Sequence, residues 1–226
     1  MGKSPNKPII LITITLLVMI LFGGAWNISS RLFLPKDTLD SLLQHGIRAY
    51  RQGEIDQAFL RFQQAASKSP KDPTVHYLLA QSLETMGRED EAITHYQKAL
   101  ELNPRLPEPR YNLAIIYNRR KDYPAAAAEL KTVLTIRPDF HGARYALGGI
   151  YIELEAYQSA VTELEKLTTA DLERSFKISS HNLLGKAYLA LDDIAKARQQ
   201  WQAVLRLDHT NIEAQEQLEQ LRKSAP

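Results

Sequence analysis

From residue 39 onward the chain alternates short helical patterns with brief polar breaks. Ala58–Phe62–Ala65, Ala92–Tyr96–Ala99, Ala126–Leu130–Val133, Ala160–Leu164–Leu167 and Ala197–Trp201–Val204 each space apolar residues four and three positions apart. That spacing gathers side chains on one face of an α-helix. A second set of patterns centres on Leu79–Ala80, Leu113–Ala114–Tyr117, Leu147–Gly148–Tyr151 and Leu184–Gly185–Tyr188. The breaks are punctuated by proline: in HYQKALELNPRLPEPRYNLAIIY (95–117), Pro104, Pro107 and Pro109 separate two helical runs. Proline ends a helix from inside but is tolerated in the first turn of the next, where its missing N–H has no partner to lose. The pattern predicts an all-α chain of helices joined by short turns.

The joint recurs. Gly53, Gly87 and Lys121 lie 34 residues apart, as do Ala58, Ala92 and Ala126, and Pro70, Pro104 and Pro138. Gly46, Ala80, Ala114 and Gly148 keep the same step and are all small. A period of 34 built from two helices is the signature of a stacked helical array. On these residues the chain, from 39 to about 211, resembles the tetratricopeptide repeat family. The resemblance implies a right-handed superhelical solenoid of antiparallel helix pairs, with small residues letting the two helices of a pair approach and large ones filling the gap to the next unit. The expected units are 39–72, 73–106, 107–140, 141–174 and 178–211, followed by a capping helix and tail over 212–226.

Three features depart from the regular pattern. The tryptophan common early in the first helix of a repeat is replaced by Leu42, His76, Arg110, Arg144 and His181, and the first unit carries His45 and Ala49 where leucine and tyrosine belong. The fourth step is 37 residues, so TTADLERSF (168–176) holds an insertion. Either Thr169 caps a helix that starts early, with Asp171 and Glu173 in its first turn, or the loop bulges. Beyond His209, Ile212, Leu218 and Leu221 make a narrow apolar stripe on a polar helix, as the open end of a solenoid requires.

Ahead of the repeats lies a different segment. Ile9–Phe22 is apolar apart from two threonines, and Gly23, Gly24, Ala25 and the interfacial Trp26 extend it to 18 residues. That length is enough for one transmembrane helix over 9–26, after a basic tail (1–8) and before a linker (27–38). The competing expectation is a signal peptide cleaved after Ala25, since Gly23 and Ala25 suit a small-residue cleavage site. Lys3, Lys7 and the amino terminus before the span, against Arg31 and Lys36 after it, favour an inside N-terminus with the repeats on the opposite side.

Composition narrows the chemistry. Twenty-eight Lys+Arg stand against 26 Asp+Glu, a net charge of +2, which gives no reason to expect nucleic acid. An RNA-reading helical repeat ranks below a protein-binding one on that ground. The absence of cysteine excludes disulfides, thiolate nucleophiles and Cys-based zinc sites. Six scattered histidines include no pair at zincin spacing, and neither a phosphate-binding loop nor a nucleophile elbow occurs. Glu153–Glu155 and Glu163–Glu165 are two apart, about 200° around a helix, and cannot share a substrate. Glu91, Lys98 and Glu129 are expected on solvated faces. Neither an enzyme, a cofactor, a metal nor a small-molecule substrate is expected.

What remains is a binding surface. The resemblance implies that the first helices of the repeats line a concave groove, into which Tyr77, Tyr111 and Tyr145 point with the repeat's own period. Gln81, Asn112, Asn118, Arg51 and Arg119 stand beside this ladder as hydrogen-bonding partners for a protein or peptide. Ordinary wall packing of the tyrosines is the alternative. The cluster NRRKD (118–122) is a further candidate contact. The carboxylate-clamping variant of the family needs lysines and asparagines that units two to four lack: they offer Tyr77, Gln81, Asn112, Gly142 and Ala146, of which only Asn112 fits. The expected function is a membrane-anchored scaffold for the assembly, biogenesis or recruitment of a larger complex, touching the bilayer through 9–26. The alternative is a signal-cleaved, exported binding protein.

Overall fold

A computed structural model describes residues 38–223. The tail 1–8, the span 9–26 and all of the linker except Thr38 lie outside the described residues. Eleven helices and no strand occur among those described: α1 (Leu39–Arg51), α2 (Ile55–Lys68), α3 (Pro73–Thr85), α4 (Glu89–Leu102), α5 (Pro107–Arg119), α6 (Tyr123–Ile136), α7 (His141–Glu153), α8 (Tyr157–Thr168), α9 (Arg174–Ala190), α10 (Ile194–Leu207) and α11 (Ile212–Lys223). No helix among them is long and apolar enough to cross a membrane. Each helix packs on the next in chain order, and α5, α7 and α9 also touch in sequence, which makes a solenoid of pairs.

The A helices (α1, α3, α5, α7, α9) stop by one device. Gly53, Gly87, Lys121, Glu155 and Asp192 all have positive φ, and the amide after each reaches back five residues, as from Arg88 to Leu83 O at 2.9 Å and from Asp193 to Tyr188 O at 3.0 Å. This is a Schellman-type stop, in which a left-handed residue lets the chain satisfy the last carbonyls. Pro73 and Pro107 open α3 and α5 as their first residues, the arrangement the 95–117 stretch predicts.

All fifteen residues of the B-helix trios are at most 1% exposed. Their large members sit against the small residues of the paired A helix. A Cβ added at Gly46 would lie 2.5 Å from Phe62, one at Gly148 2.6 Å from Leu164, and one at Gly185 2.8 Å from Trp201. Glycine at these places is a steric requirement of the helix–helix approach. Each fully buried Phe or Leu stabilises the array by about 1.5–3 kcal/mol relative to exposure, and partly buried residues such as Tyr117 and Tyr151 link one cluster of the core to the next.

Two expectations need correction. Thr169 does not cap the last A helix; it is the C-cap residue of α8, which is shortened to 12 residues. The helix does start early, at Arg174, and runs for 17 residues, but Asp171 and Glu173 precede it and Glu173 makes no side-chain cap. The insertion is thus absorbed mainly as an added turn of α9, which brings Phe176 onto the ring of Tyr145 with centroids 5.5 Å apart. In α11, Ile212 is 69% exposed, so Ala214 and Leu221, both buried, carry the capping contact with Leu218 beside them. Ile212 opens the helix and projects past the last unit.

Candidate functional site

The missing tryptophans prove to be replaced by polar brackets. His76, Arg110, Arg144 and His181 each bond a residue 19 positions on: His95, Glu129, Glu163 and Gln200. Three of them also reach the carbonyl six positions back, His76 to Pro70 O at 2.9 Å, Arg110 to Pro104 O at 3.2 Å and Arg144 to Pro138 O at 2.6 Å. One side chain therefore ties the A helix to its B helix and to the preceding turn. Glu129, expected on a solvated face, belongs to this set: its ion pair with Arg110 is 2.8 Å long and half-buried. Glu91 and Lys98 do lie at the surface, paired with Arg88 and Glu101.

The A helices of the last three units line a cavity of about 700 Å³, open on one side. Its floor includes Tyr111, Ile115, Tyr145, Phe176 and Leu183, and its rim includes Asn118, Arg119, Lys121, Glu153 and Lys186. Gly142 and Gly149 leave it wide: a Cβ on Gly149 would come no nearer than 3.8 Å to Leu183. Tyr111 leans on Phe140 with centroids 4.9 Å apart, as Tyr145 does on Phe176. The phenols stay neutral donors. Burial raises the Tyr111 pKa, and burial also raises that of Tyr145, with Lys186 pulling it down and Glu213 pushing it up.

A second, polar cavity of about 440 Å³ lies across the first three units, lined by Tyr50 of the first, Gln81, Glu84 and Thr85 of the second, and Asn112 and Arg119 of the third, among others. Gln81 donates to the hydroxyl of Tyr77 at 2.9 Å, and Asn112 donates to the buried Tyr96 hydroxyl, which itself donates to Glu84. Burial, with the carboxylates of Glu108 and Glu84, pushes Tyr77 up to about 12.

Of the residues singled out from sequence, Tyr111, Tyr145, Asn118 and Arg119 meet at the larger cavity, while Gln81, Asn112 and Arg119 meet at the smaller, with Tyr77 bonded to Gln81. Arg51 is exposed at the end of α1 and lines neither. The basic cluster is largely consumed within the fold, because Arg119 pairs with Glu84 and Glu89, and Arg120 with Glu89 and Asp90, all on the preceding unit. Sequence reading missed Phe176, Leu183 and Lys186. The early start of α9 was the signal for Phe176, since an added helical turn ahead of the repeat register must cover the unit before it.

Family models agree with this geometry. A tetratricopeptide repeat model matches residues 43–107, a second matches 179–203, and one described as anaphase-promoting complex, cyclosome, subunit 3 matches 86–167. The fold is a tetratricopeptide-repeat solenoid. Solved structures of such solenoids superpose on it. MamA (41–end) from Desulfovibrio magneticus RS-1 does so with a TM-score of 0.68 at 23% identity, covering 77% of this chain and 97% of its own. PilF of Pseudomonas aeruginosa gives 0.69 at 20%, covering 82% of this chain and 83% of its own. YrrB, a tetratricopeptide protein with an unusual peptide-binding site, gives 0.70 at 14%, covering 83% and 95%. No curated protein matches the sequence. Neither the family models nor these relatives indicate a catalytic family, and tetratricopeptide solenoids act by binding protein or peptide partners.

Proposed function

We propose that this tetratricopeptide solenoid holds a polypeptide partner in the trough of its last three units, tethered to a bilayer by residues 9–26, in the assembly, biogenesis or recruitment of a larger complex. One observation carries the reading. The cavity of about 700 Å³ is floored by aromatic and aliphatic side chains and rimmed by amide, cation and carboxylate groups, which suits an extended or helical segment. Tyr111 and Tyr145 offer broad contact area, little rotamer entropy to lose and a free hydroxyl. The peptide-binding site of YrrB, on a chain of the same fold, supports the same use.

The test is partner capture from the native membrane by the full chain and by the Tyr111→Ala/Tyr145→Ala variant. Loss of capture with unchanged helicity is expected. Equal capture by both refutes the trough as the binding surface. The Gly23–Ala25 pattern favours one alternative, release by cleavage, and intact mass of the mature protein decides it: a product beginning at Trp26 removes the tether.

A further inference from the structure

At the C-terminal end of the trough, its lining residue Lys186 is paired with a carboxylate that lies just outside the lining. Glu213, on the capping helix α11, accepts from Lys186 Nζ at 2.7 Å and from Asn182 Nδ2 at 2.8 Å, so both of its oxygens are taken by α9. Asn182 and Lys186 lie one helical turn apart on that helix, and Asn182 stands at the register position that Tyr77, Tyr111 and Tyr145 occupy in earlier units. Asn182 is 8% exposed, and its Oδ1 is buried with no hydrogen-bond donor. The amide's orientation is set by chemistry, since an ionised carboxylate only accepts. An orphaned buried acceptor loses its water partners and gains nothing in return. Lys186 lines the same cavity as Tyr145, Phe176 and Leu183.

We propose that this end of the trough is an acid-recognition site that Glu213 fills in the free protein, and that the partner is a segment with an Asp or Glu beside a large apolar residue. The inference rests on the trough being the binding surface. The partner's carboxylate replaces that of Glu213 on Lys186 and Asn182, exchanging one anion for another with little change in charge pairing. The adjacent backbone N–H of the segment supplies the donor that Asn182 Oδ1 lacks, and the neighbouring apolar side chain enters between Tyr145, Phe176 and Leu183. Glu213 is therefore an internal competitor. It lowers apparent affinity by the fraction of molecules in which it holds the site, and it keeps segments without an acid from settling there.

The experiment pans a displayed library of random dodecapeptides against the full chain and measures the enriched sequences, as synthetic peptides, by fluorescence anisotropy. The expected peptides carry Asp or Glu within two residues of Phe, Trp or Leu. They bind about tenfold more weakly to Lys186→Ala, the loss of one charge-assisted pair, and severalfold more tightly to Glu213→Gln. Lys186 is surface-exposed, so that variant folds and carries the test even if Glu213→Gln loosens α11. Enriched peptides that lack an acid, or that ignore Lys186→Ala while losing affinity for Tyr145→Ala, overturn the acid site and leave the trough intact. No enrichment, or binders indifferent to Tyr111→Ala and Tyr145→Ala, overturns the trough itself.

Discussion

Gly148 and Gly149 are neighbours in the middle of α7, and replacing each with alanine makes opposite predictions. Both substitutions gain the same intrinsic term, about 1 kcal/mol, because glycine is the weakest non-proline helix former. They differ in what the new methyl meets. At position 148 it would lie 2.6 Å from both Cγ and Cδ2 of Leu164 and 3.2 Å from Cδ1. Leu164 has no exposed surface and no room to withdraw, so α7 and α8 must separate. Overpacking of this kind costs about 1–3 kcal/mol, which cancels or exceeds the helix gain. At position 149 the methyl would meet only Leu183 Cδ2 at 3.8 Å, an ordinary contact, and the gain survives. Gly149→Ala should therefore raise the unfolding midpoint, and Gly148→Ala should lower it or leave it unmoved. The two should differ by about 1–3 kcal/mol, and roughly 2–4 °C accompanies each kcal/mol in a chain of this size. Thermal unfolding of the full chain, followed by helical ellipticity, reads the difference. The neighbouring sites share one helix, so staged melting of a repeat array shifts both alike. Equal shifts, or a higher midpoint for Gly148→Ala, refute the close approach of the paired helices.

Two further outcomes follow from the polar brackets. His76 and His95 face each other with 3.1 Å between their Nδ1 atoms, and His76 Nε2–H donates to Pro70 O, so His95 supplies the one proton between them. Burial first, then His76, holds His95 below the usual histidine range against the pull of Glu91. A base whose folded-state pKa is lowered leaves stability intact above its unfolded value, about 6.5, and erodes it as pH falls below. His95→Gln, which copies the His181–Gln200 pair, should shrink the loss of melting temperature between neutral and mildly acid buffer; an unchanged acid slope contradicts the reading. Glu163→Ala leaves Arg144 only 12% exposed and without its carboxylate, and should cost about 1–3 kcal/mol. Glu91→Ala, which breaks the exposed pair with Arg88, should leave the unfolding midpoint almost unmoved; equal effects in denaturant titration would show that the half-buried pair is no more than a surface one.

Much of the fold is legible because helical period and repeat period reinforce each other. Ala58, Phe62 and Ala65 recur as a buried face in every unit, and a shift of register in any of them would expose all three. The turns are legible at Gly53 and Gly87 but less so at Glu155 and Asp192, where ordinary residues accept positive φ because the stop is enforced by the packed helices on either side. The brackets were hidden for another reason. His76–His95, Arg110–Glu129, Arg144–Glu163 and His181–Gln200 share positions, but no one residue pair runs through all four, so a search for a single recurring letter passes over them. Spacing alone, 19 residues in each case, would have exposed them. Of the candidate site, Tyr111 and Tyr145 were visible as a ladder. Arg51 was not separable from the true lining by register, and Arg119 and Arg120 looked free because their carboxylate partners are 30–35 residues away in sequence.

Site-specific photocrosslinking tests the binding surface most directly. With benzoylphenylalanine in place of Tyr145, in the full chain in its native cells, irradiation should yield a discrete polypeptide adduct, while the same group at Thr162, exposed on α8, should yield none. An adduct from position 162 alone, or none from 145, would contradict the account.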